Sequence, residues 1–198
     1  MVAGPSEIMI IADGKSDAKV VAADMLSQAE HDRLATAILA TNDLKLASAV
    51  QIELGRQIEN LSRKEIAAYS IDRYGKIIVC STLSECVEVA NMIAPEHLEL
   101  MLDNSYEWLA KVKNAGSVFL GRYTPEALGD YFAGANHTLP TNGTARFSSP
   151  LSVDDFVKKT QYICYSKEDM EAASEKVARF AECEGLTAHA KSATVRFQ

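Results

Sequence analysis

The 198-residue sequence lacks the short motifs that mark the commonest phosphate sites and serine nucleophiles. No G-x-G-x-x-G follows a strand-like run, no G-x-x-x-x-G-K-[ST] occurs, and there is no G-x-S-x-G elbow. Positive charge is also scarce: 20 Lys and Arg stand against 27 Asp and Glu, a net charge of −7. That balance argues against a broad nucleic-acid face, which needs clustered basic residues to neutralise phosphates. Apolar runs such as Ile8 to Ala12 are far too short to span a bilayer, and no basic stretch followed by an apolar one opens the chain, so no signal peptide is expected. The four cysteines, Cys80, Cys86, Cys164 and Cys183, form no C-x-x-C pair. Scattered thiols of this kind suit a reducing, cytoplasmic setting better than a disulfide framework.

What is present is an alternation of two periodicities. Glu7 to Ala12 is a short apolar run closed by Asp13-Gly14 and reads as a buried strand, entered with no preceding element. Ala18, Val21, Ala22, Met25 and Ala29 then recur at helical spacing, with Ser16 as the expected cap. Strands are predicted at Ala37 to Thr41, Lys76 to Cys80, His97 to Leu102 and Ser117 to Leu120. Helices are predicted at Asp43 to Asn60, Arg63 to Asp72, Thr82 to Ile93 and Tyr106 to Val112. This order indicates an α/β fold, an incomplete Rossmann-like and mostly parallel sheet with flanking helices. Gly121 to Pro150 reads as a long functional loop, rich in Gly, Pro, Thr, Asn and Ser and interleaved with aromatic residues. Beyond it, a short helix at Val153 to Lys159, a strand at Gln161 to Tyr165, an amphipathic helix at Lys167 to Cys183 and a last turn near Ala188 are expected. The expected domains are therefore a partial Rossmann-like domain over residues 1–150 and a small α+β or helical unit over residues 151–198.

Several residues suggest chemistry. Gln28 and His31, three apart on the first predicted helix, can face one ligand, with Asp24 and Asp17 on the same stripe. A solvated polar face is the plainer reading of that stripe. Pro95-Glu96-His97 sets a carboxylate beside an imidazole at an element boundary, a natural place for proton transfer. A surface Glu beside a half-buried His would look the same. Asp130 and His137 lie in the Gly-rich loop, where Asp, Asn and Gly also serve as turn formers. Glu184 and His189 near the end are unremarkable singly. Taken together, the histidines and their oxygen-bearing neighbours suit Zn²⁺, which points to a metal-dependent α/β enzyme and no further.

Seven segments carry a resemblance. They are Ala3-Gly-Pro-Ser-Glu7, Gln28-Ala-Glu-His31, Ala94-Pro-Glu-His-Leu98, Tyr123-Thr-Pro-Glu-Ala-Leu-Gly-Asp130, Gly134-Ala-Asn-His-Thr-Leu-Pro140, Gly143-Thr-Ala-Arg-Phe-Ser-Ser-Pro-Leu-Ser152 and Leu186-Thr-Ala-His189. In this order they resemble the carboxy-terminal part of histidinol dehydrogenase. The resemblance implies oxidation of L-histidinol to L-histidine through histidinaldehyde, with zinc and two NAD in turn. It implies Gln28, His31, Asp130 and His189 as zinc ligands, and Glu96 and His97 as the acid–base pair. Ser6, His137 and Glu184 would help bind substrate alongside the ligands and His97. It further implies a homodimer in which the counterparts of Glu184 and His189 serve the partner's site. The family's chain is about twice as long, and its amino-terminal half, expected to carry most NAD contacts, has no counterpart here. A zinc hydrolase using Glu96 as base is disfavoured by the want of H-E-x-x-H, while a binding or dimerisation module without activity stays open.

Overall fold

Five strands form one sheet in the order β3-β2-β1-β4-β5, every neighbouring pair parallel. The structure is a computed structural model and describes residues 2–198. The strands are β1 (Glu7–Ala12), β2 (Thr36–Thr41), β3 (Lys76–Val79), β4 (His97–Met101) and β5 (Ser117–Leu120). Between them run α1 (Ala18–Ala29), α2 (Leu44–Ile58), α3 (Lys64–Tyr74), α4 (Leu83–Ile93) and α5 (Ser105–Leu109), followed by α6 (Glu126–Tyr131). Because the central strands are covered on both faces, β1 after Glu7 reads as an unbroken apolar run, while β4 sets His97 and Glu99 among Leu98, Leu100 and Met101. Ile8, Ile10 and Met101 pack against α1, α2 and α3 on one face, while Met9, Leu98 and Leu100 pack against α4 on the other.

The α/β alternation follows the predicted order, and local details differ. Asp17, not Ser16, caps α1, accepting from Lys19 N. The Ser16 hydroxyl instead donates to Met101 O. It does so because Arg122 draws the carboxyl ends of β1 and β4 together. Its Nη1 donates to Met101 O at 2.8 Å and to Ser16 Oγ, and its Nη2 donates to Asp13 Oδ1 at 2.8 Å. Lys15 and Arg122 both reach Asp103 as well. Cys80 and Cys86 are neighbours; burial, and then the Cys80 thiol beside it, pushes the Cys86 thiol up to about 12. No helix among the described residues is long and apolar enough to cross a membrane.

The described residues divide into two units, 2–156 and 157–198. Alone, the second consists of α7 (Lys167–Cys183) packed on α8 (Thr187–Thr194), with Ala178, Ala181 and Ala190 between them. Ser166 caps α7 by accepting from Asp169 N. The strand expected at Gln161 to Tyr165 does not form. Those residues meet no partner strand among the described residues, and Tyr162 and Ile163 stay 90% and 76% exposed. The C-terminal unit is therefore helical rather than α+β.

Candidate metal and acid–base site

Residues from β1, α1, β4 and α6 converge at the edge of the sheet where the strands begin. The chain enters β4 through Ala94, whose left-handed backbone (φ 55°) ends α4, and through Pro95, which cannot continue a helix. Gly116 lets β5 start close against the Glu96 carbonyl, which accepts from Ser117 N. Glu96 and His97 are thereby buried, at 7% and 3% exposure. Together they read both ends of the Glu7 residue: its N–H donates to Glu96 Oε2 at 2.9 Å, and its C=O faces His97 Nδ1 at 3.0 Å.

A carbonyl can only accept, so His97 Nδ1 carries the proton and Nε2 holds the free lone pair. That Nε2 lies 3.9 Å from Asp130 Oδ1 and 4.0 Å from Glu126 Oε1. It is buried without a hydrogen-bond partner, as are Glu126 Oε1 and both polar atoms of the Gln28 amide. Gln28 closes the last turn of α1 and sits beside the Glu126 carboxyl, which it helps to hold down. Buried polar atoms are nearly always paired, so this many unpartnered ones in one place call for a ligand. His97, Glu126 and Asp130 offer donor atoms within 4.8 Å of one another, and an amide, an imidazole and carboxylates are a donor set that suits a divalent cation.

The electrostatics follow from burial. Desolvation raises Glu96 to about 7, with the Glu7 amide bond opposing the rise. Desolvation, then the Asp130 carboxyl beside it, raises Glu126 to about 8. His97 is held below its usual value by burial, against the pull of the Glu7 carbonyl and Asp130. A carboxyl near 7 beside a neutral imidazole is a pair able to move protons at ordinary pH.

His31 is not on α1. The helix stops at Ala29, and His31 lies in the following turn, exposed, its N–H donating to Gln28 O. His31 and exposed His137 lie within electrostatic reach of His97, and positive charge on either would lower it. Ser6 precedes β1, half buried, and its carbonyl accepts from Thr36 N. Glu184 and His189 belong to the second unit, where Glu184 caps the end of α7 and His189 sits, exposed, on α8.

Two residues of the cluster escaped the sequence reading. Glu126 opens α6, a helix placed inside what was read as a loop. Its signal was Thr124-Pro125-Glu126, a Pro followed by an acid in the first turn. Glu99, two residues after His97 in an otherwise apolar strand, points to the same face. Gly129 allows α6 to lie close, since a Cβ there would come within 2.7 Å of the Phe119 ring, which packs 5.9 Å from His97. Gly129→Ala is expected to push α6 outward and cost about 1–3 kcal/mol, read as a lower urea midpoint. An unchanged midpoint would mean the ring yields freely.

The comparisons with known proteins bear on this cluster. The sequence model of the family described as histidinol dehydrogenase matches residues 1–197. A histidinol dehydrogenase of Clostridium acetobutylicum is 54% identical over 198 residues, covering 100% of this chain and 46% of that protein. One from Bacillus licheniformis is 55% identical over 192 residues, covering 97% of this chain and 45% of its own length. The crystal structure of histidinol dehydrogenase from Elizabethkingia anophelis matches with a TM-score of 0.86 at 40% identity, over 99% of this chain and 45% of that one. The chain spans about half the length of the curated relatives it matches. With a match that runs from one end of the sequence to the other and a parallel sheet of the same shape, the chain belongs to the histidinol dehydrogenase family.

Proposed function

We propose that this chain carries the metal-binding and acid–base part of a zinc-dependent histidinol dehydrogenase, which oxidises L-histidinol to L-histidine through histidinaldehyde with two NAD. The observation that supports it most is the buried Gln28 amide, unpartnered at both polar atoms, beside Glu126 and in one cluster with His97 and Asp130. Gln28, His31 and Asp130 would hold the zinc, completed by His189 of a second copy in a homodimer. Asp130 is common to this ligand set and to the group it forms with His97 and Glu126. The zinc would supply a Lewis-acid anchor for nitrogen donors of the substrate, and NAD would supply the hydride acceptor.

The chain's own residues do the rest. His97 Nε2 takes the hydroxyl proton as the carbinol becomes an aldehyde, its ring oriented by the Nδ1 bond to Glu7. Glu96, as carboxylate, takes a proton from the water that adds to the aldehyde carbon, leaving a hydrate from which the second hydride departs. Ser6 and His137, with Glu184 of a second copy, would contact the substrate. The NAD contacts are assigned to the part of the relatives beyond the half matched here. A cytoplasmic setting, without nucleic acid or membrane, accords with the net charge of −7 and four free cysteines.

The second reading, a zinc and imidazole binder without dehydrogenase activity, draws on the chain's spanning only about half of its relatives. Calorimetry of the 198-residue chain with zinc and then L-histidinol, beside an NADH-formation assay, separates the two. Zinc-dependent histidinol binding with NADH formed supports the enzyme. The same binding without NADH supports the binder, and no binding of either ligand sinks both for this chain.

A further inference from the structure

Glu99 lies in the middle of β4, 2% exposed, on the face that also carries His97. Its Oε1 accepts from the Glu126 N–H at 2.8 Å. That amide opens α6, and Pro125 before it supplies no side-chain cap, so Glu99, 27 residues away in sequence, takes the place of a cap. On its other side Glu99 faces Asp24 of α1, near enough for each carboxyl to shift the other. Glu99 Oε2 is buried with no hydrogen-bond partner. Burial, then the Asp24 charge, raises Glu99 to about 9. Asp24 and Gln28 are one turn apart on α1, and Glu126 and Asp130 are one turn apart on α6. Glu99 therefore holds α6 one turn from Asp130.

We infer that Glu99 is a positioning residue: by capping α6 at Glu126 from the middle of β4, it holds in place the helix that carries Asp130. Its consequence for metal binding rests on the proposed ligand set; the clamp itself rests on the hydrogen bond and the burial. What matters is an acceptor for the Glu126 amide, which glutamine keeps and leucine does not.

Three versions of the 198-residue chain test this: wild type, Glu99→Gln and Glu99→Leu. Two readouts are taken, amide hydrogen exchange at Glu126 and the affinity for Zn²⁺ alone by chelator competition. Glu99→Leu is expected to expose the Glu126 amide to fast exchange and to weaken zinc by about 10–100-fold, the usual cost of losing support behind a ligand. Glu99→Gln is expected to stay within about threefold of wild type in both. Glu99→Leu with unchanged protection and zinc affinity would overturn the inference. So would a Gln variant as damaged as the Leu variant. If Glu99→Leu does not fold, the Gln variant decides alone on the same two readouts. A wild-type chain that binds no zinc, yet loses Glu126 protection on Glu99→Leu, supports the clamp and overturns the metal reading.

Discussion

Between pH 5 and pH 9 the metal-free chain is expected to lose several kcal/mol of stability, read as a fall in Tm of roughly 10–20 °C. The carboxyls responsible are Glu96, Glu126 and Glu99, raised in the fold to about 7, about 8 and about 9. A raised folded pKa means that the fold binds protons which the unfolded chain has already released. The stabilisation is therefore complete below the ordinary value of 4.5 and is lost as pH climbs through 7, 8 and 9. Glu96 alone accounts for about 3 kcal/mol at 1.4 kcal/mol per unit. Glu99 lies beside Asp24 and the Glu126 charge, so the shares of these buried acids do not simply add. Burial of neutral His97 works in the opposite direction below its ordinary 6.5 and trims stability at the acid end. Saturating zinc should flatten the alkaline limb, because a bound cation favours the ionised carboxyls that burial disfavours. Thermal melts in chelator and in zinc across this range are the check. A Tm that holds level from pH 5 to pH 9 in chelator would remove the buried-acid account.

Glu96→Gln and His97→Asn are expected to damage different halves of the proposed reaction. A suitable vehicle is the Clostridium acetobutylicum relative with its matching 46% replaced by this chain. His97→Asn should slow the oxidation of histidinol to the aldehyde by about 10²–10⁴-fold, the range for losing a positioned proton acceptor. Glu96→Gln should leave that step nearly intact and slow the oxidation of supplied histidinaldehyde by a similar factor of about 10²–10⁴. The reason lies in where each group points. His97 Nε2 faces the Asp130 and Glu126 carboxyls, where the substrate would be held. Glu96 Oε2 is tied to the Glu7 amide on the other side of the imidazole. Single-turnover rates with each substrate make the comparison. Equal loss in both halves for both variants would mean that the pair acts as one unit and that the division of labour is wrong.

The sheet and its helices were legible because buried parallel strands and amphipathic helices leave different periods in the sequence. What failed were features decided by distant residues. Ser16 looks like a cap, but Arg122, more than a hundred positions away, draws its hydroxyl to Met101 and leaves Asp17 to cap. His31 keeps helical spacing with Gln28, yet the helix stops at Ala29. The aromatic and apolar run Tyr162-Ile-Cys-Tyr165 resembles a strand, but a strand needs a partner edge, and local pattern cannot say whether one is offered. In the site, Gln28, Glu96, His97 and Asp130 were reachable through motifs with recognisable chemistry. Glu99 was not, because one acid in an apolar run reveals nothing until Asp24 and the Glu126 amide are placed beside it.

The Arg122 bridge has a consequence for the division of work across the sheet. In a sheet of this strand order, the gap between β1 and β4 at their carboxyl ends is the usual seat for a nucleotide. Here one guanidinium fills that gap, bonded to the tips of both strands and to two aspartates. The guanidinium thus occupies one end of the sheet, and Glu7, Glu96 and His97 stand at the other. Under the proposed function, a dinucleotide would therefore have to meet Glu96 and His97 at the end of the sheet opposite its customary seat.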